Sequence, residues 1–152
     1  KERQKNENSK YVELPYSIKG MDVAFSGLLT NLKQKLETKK YSLEQLSYSL
    51  EETAFAMLIE AAERSMAHLN KSELLLGGGV ACNTRLQNMC KIMCEERGAK
   101  LFVPDNSLLV DNAGMIAFTG EIMFKNGICE KEISKIDIKP RQRTDQVEVS
   151  WK

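Results

Sequence analysis

The feature that most narrows what this chain can fold into is the passage from Glu73-Leu74-Leu75-Leu76 into Gly77-Gly78-Gly79, followed by a helical pattern opening at Thr84. A short apolar run bounded by turn signals reads as a buried strand. Three glycines then strip the turn of side chains, so that a ligand can approach the backbone closely. Strand, glycine turn and helix in that order suit a phosphate or a nucleotide, because backbone N–H groups gather there and a helix N-terminus is electropositive. The same order also makes a plain strand-to-helix turn in which Asn83 caps the helix. Spacing alone leaves both readings open. Neither the P-loop nor the dinucleotide fingerprint is matched, since no Lys-Ser/Thr follows the glycines and no G-x-G-x-x-G is present.

Around this passage, short extended segments alternate with helices. Tyr11 to Tyr16 reads as extended up to Pro15, Val23 to Ser26 as a second extended segment, and Leu28, Leu29, Leu32 and Leu36 predict a helix to about Glu37. Ser42 and Gln45 form a capping-box signature for the longest helix, which ends near His68-Leu69-Asn70. The helix from Thr84 to about Arg97 stops at Gly98, and Lys100 to Val103 reads as another strand before Pro104. Asp111-Asn112 can cap a further helix through Met123, closed by Asn126-Gly127. Ile133, Ile136 and Ile138 suggest a last extended stretch before the basic tail Lys139-Pro140-Arg141-Gln142-Arg143. The alternation points to α/β layer packing. Residues 1–10 hold no apolar side chain and read as a linker or insertion ahead of a domain over 11–152.

At 152 residues the chain is long enough for one domain with a real core. Its net charge of +1 gives no overall drive toward nucleic acid, so RNA binding has to come from a local patch or from further parts. Cys82, Cys90, Cys94 and Cys129 form no C-x-x-C pair, which together with the lack of a signal-like or membrane-length apolar run fits reduced thiols in a cytosolic protein. Cys90 and Cys94 share a helix face, where core packing is a better reading than zinc.

Asp111 follows the apolar run Leu108-Leu109-Val110 and precedes a helix, a place for a carboxylate that caps or binds a metal. Asp22, Ser26 and Gly27 form a third small cluster that is equally a turn. His68 lies near a helix end, where a structural role suits it.

Three stretches taken together carry a resemblance: Lys19-Gly20-Met21-Asp22 through Ser26-Gly27, Gly77 through Leu86, and Asp111-Asn112-Ala113-Gly114-Met115-Ile116-Ala117. In order and spacing they resemble the threonylcarbamoyltransferase family, once called O-sialoglycoprotein endopeptidase. The tail from Pro140 to Trp151 is similar to the archaeal and eukaryotic branch, the catalytic subunit of the KEOPS complex. The resemblance implies that the chain is the C-terminal lobe of an actin-like ATPase fold, the fold shared by sugar kinases and heat-shock chaperones. It implies transfer of threonylcarbamoyl from an adenylate to the adenosine next to the anticodon of tRNAs reading A-starting codons. Gly77, Gly78, Gly79 and Asn83 would bind the adenylate, and Asp111 would bind a divalent metal ion, iron or zinc, shared with an H-x-x-x-H pair in the first lobe. No general base is assigned, and the fragment alone is expected to be inactive. Implied partners are tRNA and KEOPS subunits including a small protein kinase, with no membrane, in the cytoplasm and also the nucleus. Ala113 before Gly114 departs from the family's usual Gly and then small residue after Asp-Asn. The alternatives are a metal-dependent O-sialoglycoprotein endopeptidase and a non-catalytic interaction lobe.

Overall fold

Sequence-local signals place most of the elements of the computed structural model, which describes residues 11–111 and 113–151. The described chain is mixed α/β and divides into two compact units at Pro104. The linker expected over residues 1–10 lies outside the described residues.

In the first unit the lead segment from Tyr11 to Tyr16, expected to be extended, joins neither strand pair among the described residues. Val12 and Leu14 are buried in alternation, and side chains of the long helix take over the bonds a neighbouring strand would make. The Val12 N–H donates to Ser49 Oγ at 2.8 Å, Ser49 Oγ donates to the Gln45 carbonyl at 2.7 Å, and the Tyr11 and Thr53 hydroxyls bond at 2.8 Å. A hairpin follows, β1 (Ile18–Lys19) against β2 (Asp22–Val23), turned by Gly20 at φ 65. Helix α1 (Ser26–Glu37) starts at once, so the extended reading of Val23 to Ser26 stops at Val23 and Ser26 is helical.

Helix α2 (Leu43–His68) is opened by the expected capping box: Ser42 Oγ accepts from the Gln45 N–H at 3.2 Å, and Gln45 Oε1 accepts from the Ser42 N–H at 3.0 Å. At 1.5 Å per residue it runs roughly 39 Å and serves as the spine of the unit. Met57 packs with Leu14 and Leu28 on the hairpin and α1 side. Phe55 packs with Leu86 and Cys90, while Met66 packs with Met93 and Cys94, on the side of α3 (Thr84–Glu96). The strands β3 (Glu73–Leu75) and β4 (Lys100–Phe102) are parallel, with Leu74 opposite Leu101. Leu74 and Leu101 pack on α2 and α3, whereas Leu75 and Phe102 remain 68% and 46% exposed. One face of the pair is therefore covered and the other is open. Gly98 at φ 64 ends α3 as expected.

The second unit holds a short helix α4 (Asn106–Leu109), which the sequence pattern did not reveal, and α5 (Ala113–Lys125), closed by Gly127 at φ 77. The extended stretch expected through Ile133, Ile136 and Ile138 is not a strand. A 3-10 turn occupies Ile133–Lys135, and all three isoleucines are exposed. Among the described residues no helix is long and apolar enough to cross a membrane.

Candidate functional site: the glycine turn

The strand-to-helix turn is held at both ends and open in the middle. Leu76 N–H donates to the Phe102 carbonyl at 3.0 Å, the last link to β4. A 3-10 turn over Gly79–Cys82 is closed by Ala81 N–H on the Gly78 carbonyl and Asn83 N–H on the Val80 carbonyl, both at 3.0 Å. Gln87 Nε2 holds the Ala81 carbonyl at 2.7 Å. Between these anchors the backbone N–H groups of Gly77, Gly78, Gly79 and Val80 have no hydrogen-bond partner among the described residues. Gly78 sits at φ 86 and ψ 163, a conformation that side-chain-bearing residues rarely adopt. A Cβ at Gly77, Gly78 or Gly79 would meet nothing within 4 Å. The glycines are thus not making room for neighbouring protein atoms. They leave a bare row of donors.

Asn83 does what the plainer reading expects and something more. It caps α3, its Oδ1 accepting from the Arg85 and Leu86 N–H groups at 2.8 and 3.3 Å. Its Nδ2 donates to Glu51 Oε1 at 2.8 Å, so the side chain is tied to α2 as well, and one amide hydrogen is left for a ligand. Next to it Arg85 Nη2 donates to Glu52 Oε2 at 2.7 Å. The hydrogen bond to Glu52 raises the Arg85 pKa, which keeps the guanidinium protonated. Glu51 and Glu52 brace the start of α3. No local signal in the sequence marks them, because their partners lie more than thirty residues away.

Asp111 belongs to the second unit and is exposed. Helix α5 begins at Ala113, and the Asp111 carboxylate has no hydrogen-bond or ion-pair partner among the described residues, so it makes no capping bond there. Asn112, the other half of the expected cap, lies outside the described residues. Among the described residues no three His, Cys, Asp or Glu side chains are grouped to hold a metal. Cys90 and Cys94 are free thiols buried in the core, and burial pushes both pKa values up, away from the thiolate a metal needs. His68 is exposed at the end of α2. Asp22 and Ser26 flank the hairpin-to-helix turn, and a Cβ at Gly27 would meet nothing.

Residues 1–118 match the family model described as tRNA N6-adenosine threonylcarbamoyltransferase. The chain belongs to that family. The threonylcarbamoyltransferase match takes in the glycine turn, Asn83 and Asp111. Similar proteins described by the same words include one from Thermococcus kodakarensis, 51% identical over 142 residues, covering 93% of this chain and 43% of the relative. One from Methanothrix thermoacetophila is 49% identical over 141 residues, with 93% and 43% covered. One from Danio rerio is 47% identical over 155 residues, with 99% and 46% covered. The chain thus spans less than half the length of these curated threonylcarbamoyltransferases.

Proposed function

We propose that this chain is the C-terminal lobe, over residues 11–152, of an actin-like two-lobed enzyme that transfers threonylcarbamoyl from its adenylate to a tRNA adenosine. The observation that carries the reading is the row of unpaired N–H groups from Gly77 to Val80, within a stretch matched to the family. In the transfer, the adenosine amine attacks the carbamoyl carbon, the bond from that carbon to the phosphate oxygen breaks, AMP leaves, and the amine loses a proton. Negative charge grows on the departing phosphate. Fixed backbone donors aimed at an anion stabilise such charge without having to reorganise. Gly77, Gly78 and Gly79 supply those donors in this reading, and Asn83, held rigid by Glu51, offers its remaining amide hydrogen.

The described residues do not by themselves fit a resident metal, since one carboxylate is not a site. Asp111 is proposed as a single ligand whose companions lie outside this chain. Its carboxylate neither makes nor breaks a bond in the transfer; its part in this reading is to help hold the ion in place. The KEOPS subunits with their small kinase, and a location in cytoplasm and nucleus, belong to the same proposal. The relatives' names favour transfer over the endopeptidase alternative.

The test is a transfer assay with the full-length protein, threonylcarbamoyl-adenylate and tRNA, on wild type and Asp111→Ser. Wild type should form threonylcarbamoyladenosine. Because Asp111 bonds to nothing among the described residues, Asp111→Ser should change stability by less than about 0.5 kcal/mol while cutting transfer by about a hundredfold or more. A wild-type protein that forms no modified adenosine sinks the function. An Asp111→Ser variant with full activity sinks only the ligand role.

A further inference from the structure

Away from the glycine turn, the first unit carries one stretch of positive charge that its own acids do not neutralise. Lys33, Lys35, Lys39 and Lys40 fall within eight residues at the end of α1 that hold one acid, Glu37, and among the described residues none of the four lysines is in an ion pair. The arginines and lysine of α2 and α3, and Arg97 just after α3, are treated differently: Arg64 pairs with Glu60, Arg85 with Glu52, Lys91 with Glu95 and Arg97 with Glu63. Lysines in a last helical turn complement the helix dipole, which accounts for Lys35. It does not account for Lys39 and Lys40, which lie beyond the end of α1.

The stretch also has a shape. Lys35 and Lys40 line a depression of about 480 Å³ with Tyr11, Tyr41, Gln45 and a single acid, Glu13. The Lys35 ammonium lies 5.5 Å from the centre of the Tyr41 ring. The wall is fixed, because the Tyr11 hydroxyl bonds Thr53 on α2 at 2.8 Å. Two cations, aromatic rings and an amide around one open hollow match a sugar–phosphate backbone with a base beside it. A chain of net charge +1 needs such a local patch if it is to hold RNA at all.

We propose that the hollow between Lys35, Lys40 and Tyr41 is a contact for the tRNA backbone, separate from the residues assigned to the adenylate. The assignment rests on tRNA being the substrate. The test is equilibrium binding of unmodified tRNA transcript to the full-length protein over a salt series, with wild type, Lys35→Gln/Lys40→Gln and Lys35→Arg/Lys40→Arg. Loss of two phosphate contacts should raise Kd roughly tenfold at physiological salt and flatten the slope of log K against log salt by about 1.5. The double arginine variant should restore both. Transfer at saturating tRNA should be unchanged. If the double glutamine variant melts early, single Lys40→Gln, at a side chain with no partner, should still flatten the slope by about half as much. Unchanged Kd and slope would overturn the proposal, and so would intact tRNA binding with loss of an acidic protein partner, which reassigns the patch to that protein. A wild type that binds no tRNA refutes the functional reading first and this one with it, whereas a wild type that transfers normally beside indifferent variants refutes only the patch.

Discussion

At the scale of single residues, the three glycines are not equivalent. Gly78 alone is locked at a positive φ, while the space around each of them is open. In the full-length protein, Gly78→Val should therefore cost stability, about 1–3 kcal/mol, before any effect on the ligand can be read. Gly79→Ala, with no positive φ to strain, should cost under about 0.5 kcal/mol and still slow transfer by crowding the row of donors. Denaturant unfolding beside single-turnover transfer separates the two. Equal stability losses in both variants, with transfer intact for Gly79→Ala, would leave the turn as a mere connection. Much of this was legible in the sequence, because strand, glycine run and helix cap are local patterns. Asn83 announced itself as a cap for the same reason. Its second bond, to Glu51, was not legible, since a contact across 32 positions leaves no mark on either residue's neighbourhood.

At the scale of elements, length decided what could be read. The 26-residue α2 carried both its capping box and its period, and the structure returns it almost unchanged. The two-residue strands β1 and β2 and the four-residue α4 are too short to show any period. The isoleucines at 133, 136 and 138 misled, because alternation makes a strand only where another strand offers partners. Docking of the hairpin onto α2 combines Ile18 and Val23, packed against the Met57 cluster, with a set of polar bonds. Tyr16 donates to Glu60 Oε2 at 2.6 Å, Glu60 pairs with Arg64, and Arg64 Nη1 reaches the Gly20 carbonyl at 2.8 Å. Burial first, and then the bond to Glu60, push the Tyr16 pKa from 10.0 to about 12. A phenol whose pKa is higher folded than unfolded favours the folded state while it keeps its proton. That contribution is complete below about pH 10 and fades as pH climbs toward 12. Melting curves across this window should fall more steeply for wild type than for Tyr16→Phe, which has no proton to lose. Parallel curves would show that Tyr16 does not anchor the hairpin.

At the scale of the whole molecule, the chain holds one compact unit with the glycine turn and another with Asp111, and spans less than half of its relatives. A site shared with a further lobe lacks a wall when that lobe is missing, and with it the pre-organisation that offsets the entropy of binding. Calorimetry on the isolated chain should accordingly show no AMP or ATP binding tighter than about millimolar, the range left to a half-site. Sub-micromolar affinity would contradict the two-lobed reading. Nothing in composition or periodicity could have shown how much of a site the chain holds, because both describe segments and not what closes over them. The bare face of β3 and β4 has a practical side. Parallel strands normally live with both faces clothed, and an unpaired edge invites another backbone to join it. The free edges of this two-stranded pair offer that invitation, and the exposed Leu75 and Phe102 add a sticky face beside it, to any neighbour at high concentration. In a purification of the isolated chain, the first sign of that exposed strand pair would be a cloudy tube, well before any assay was run.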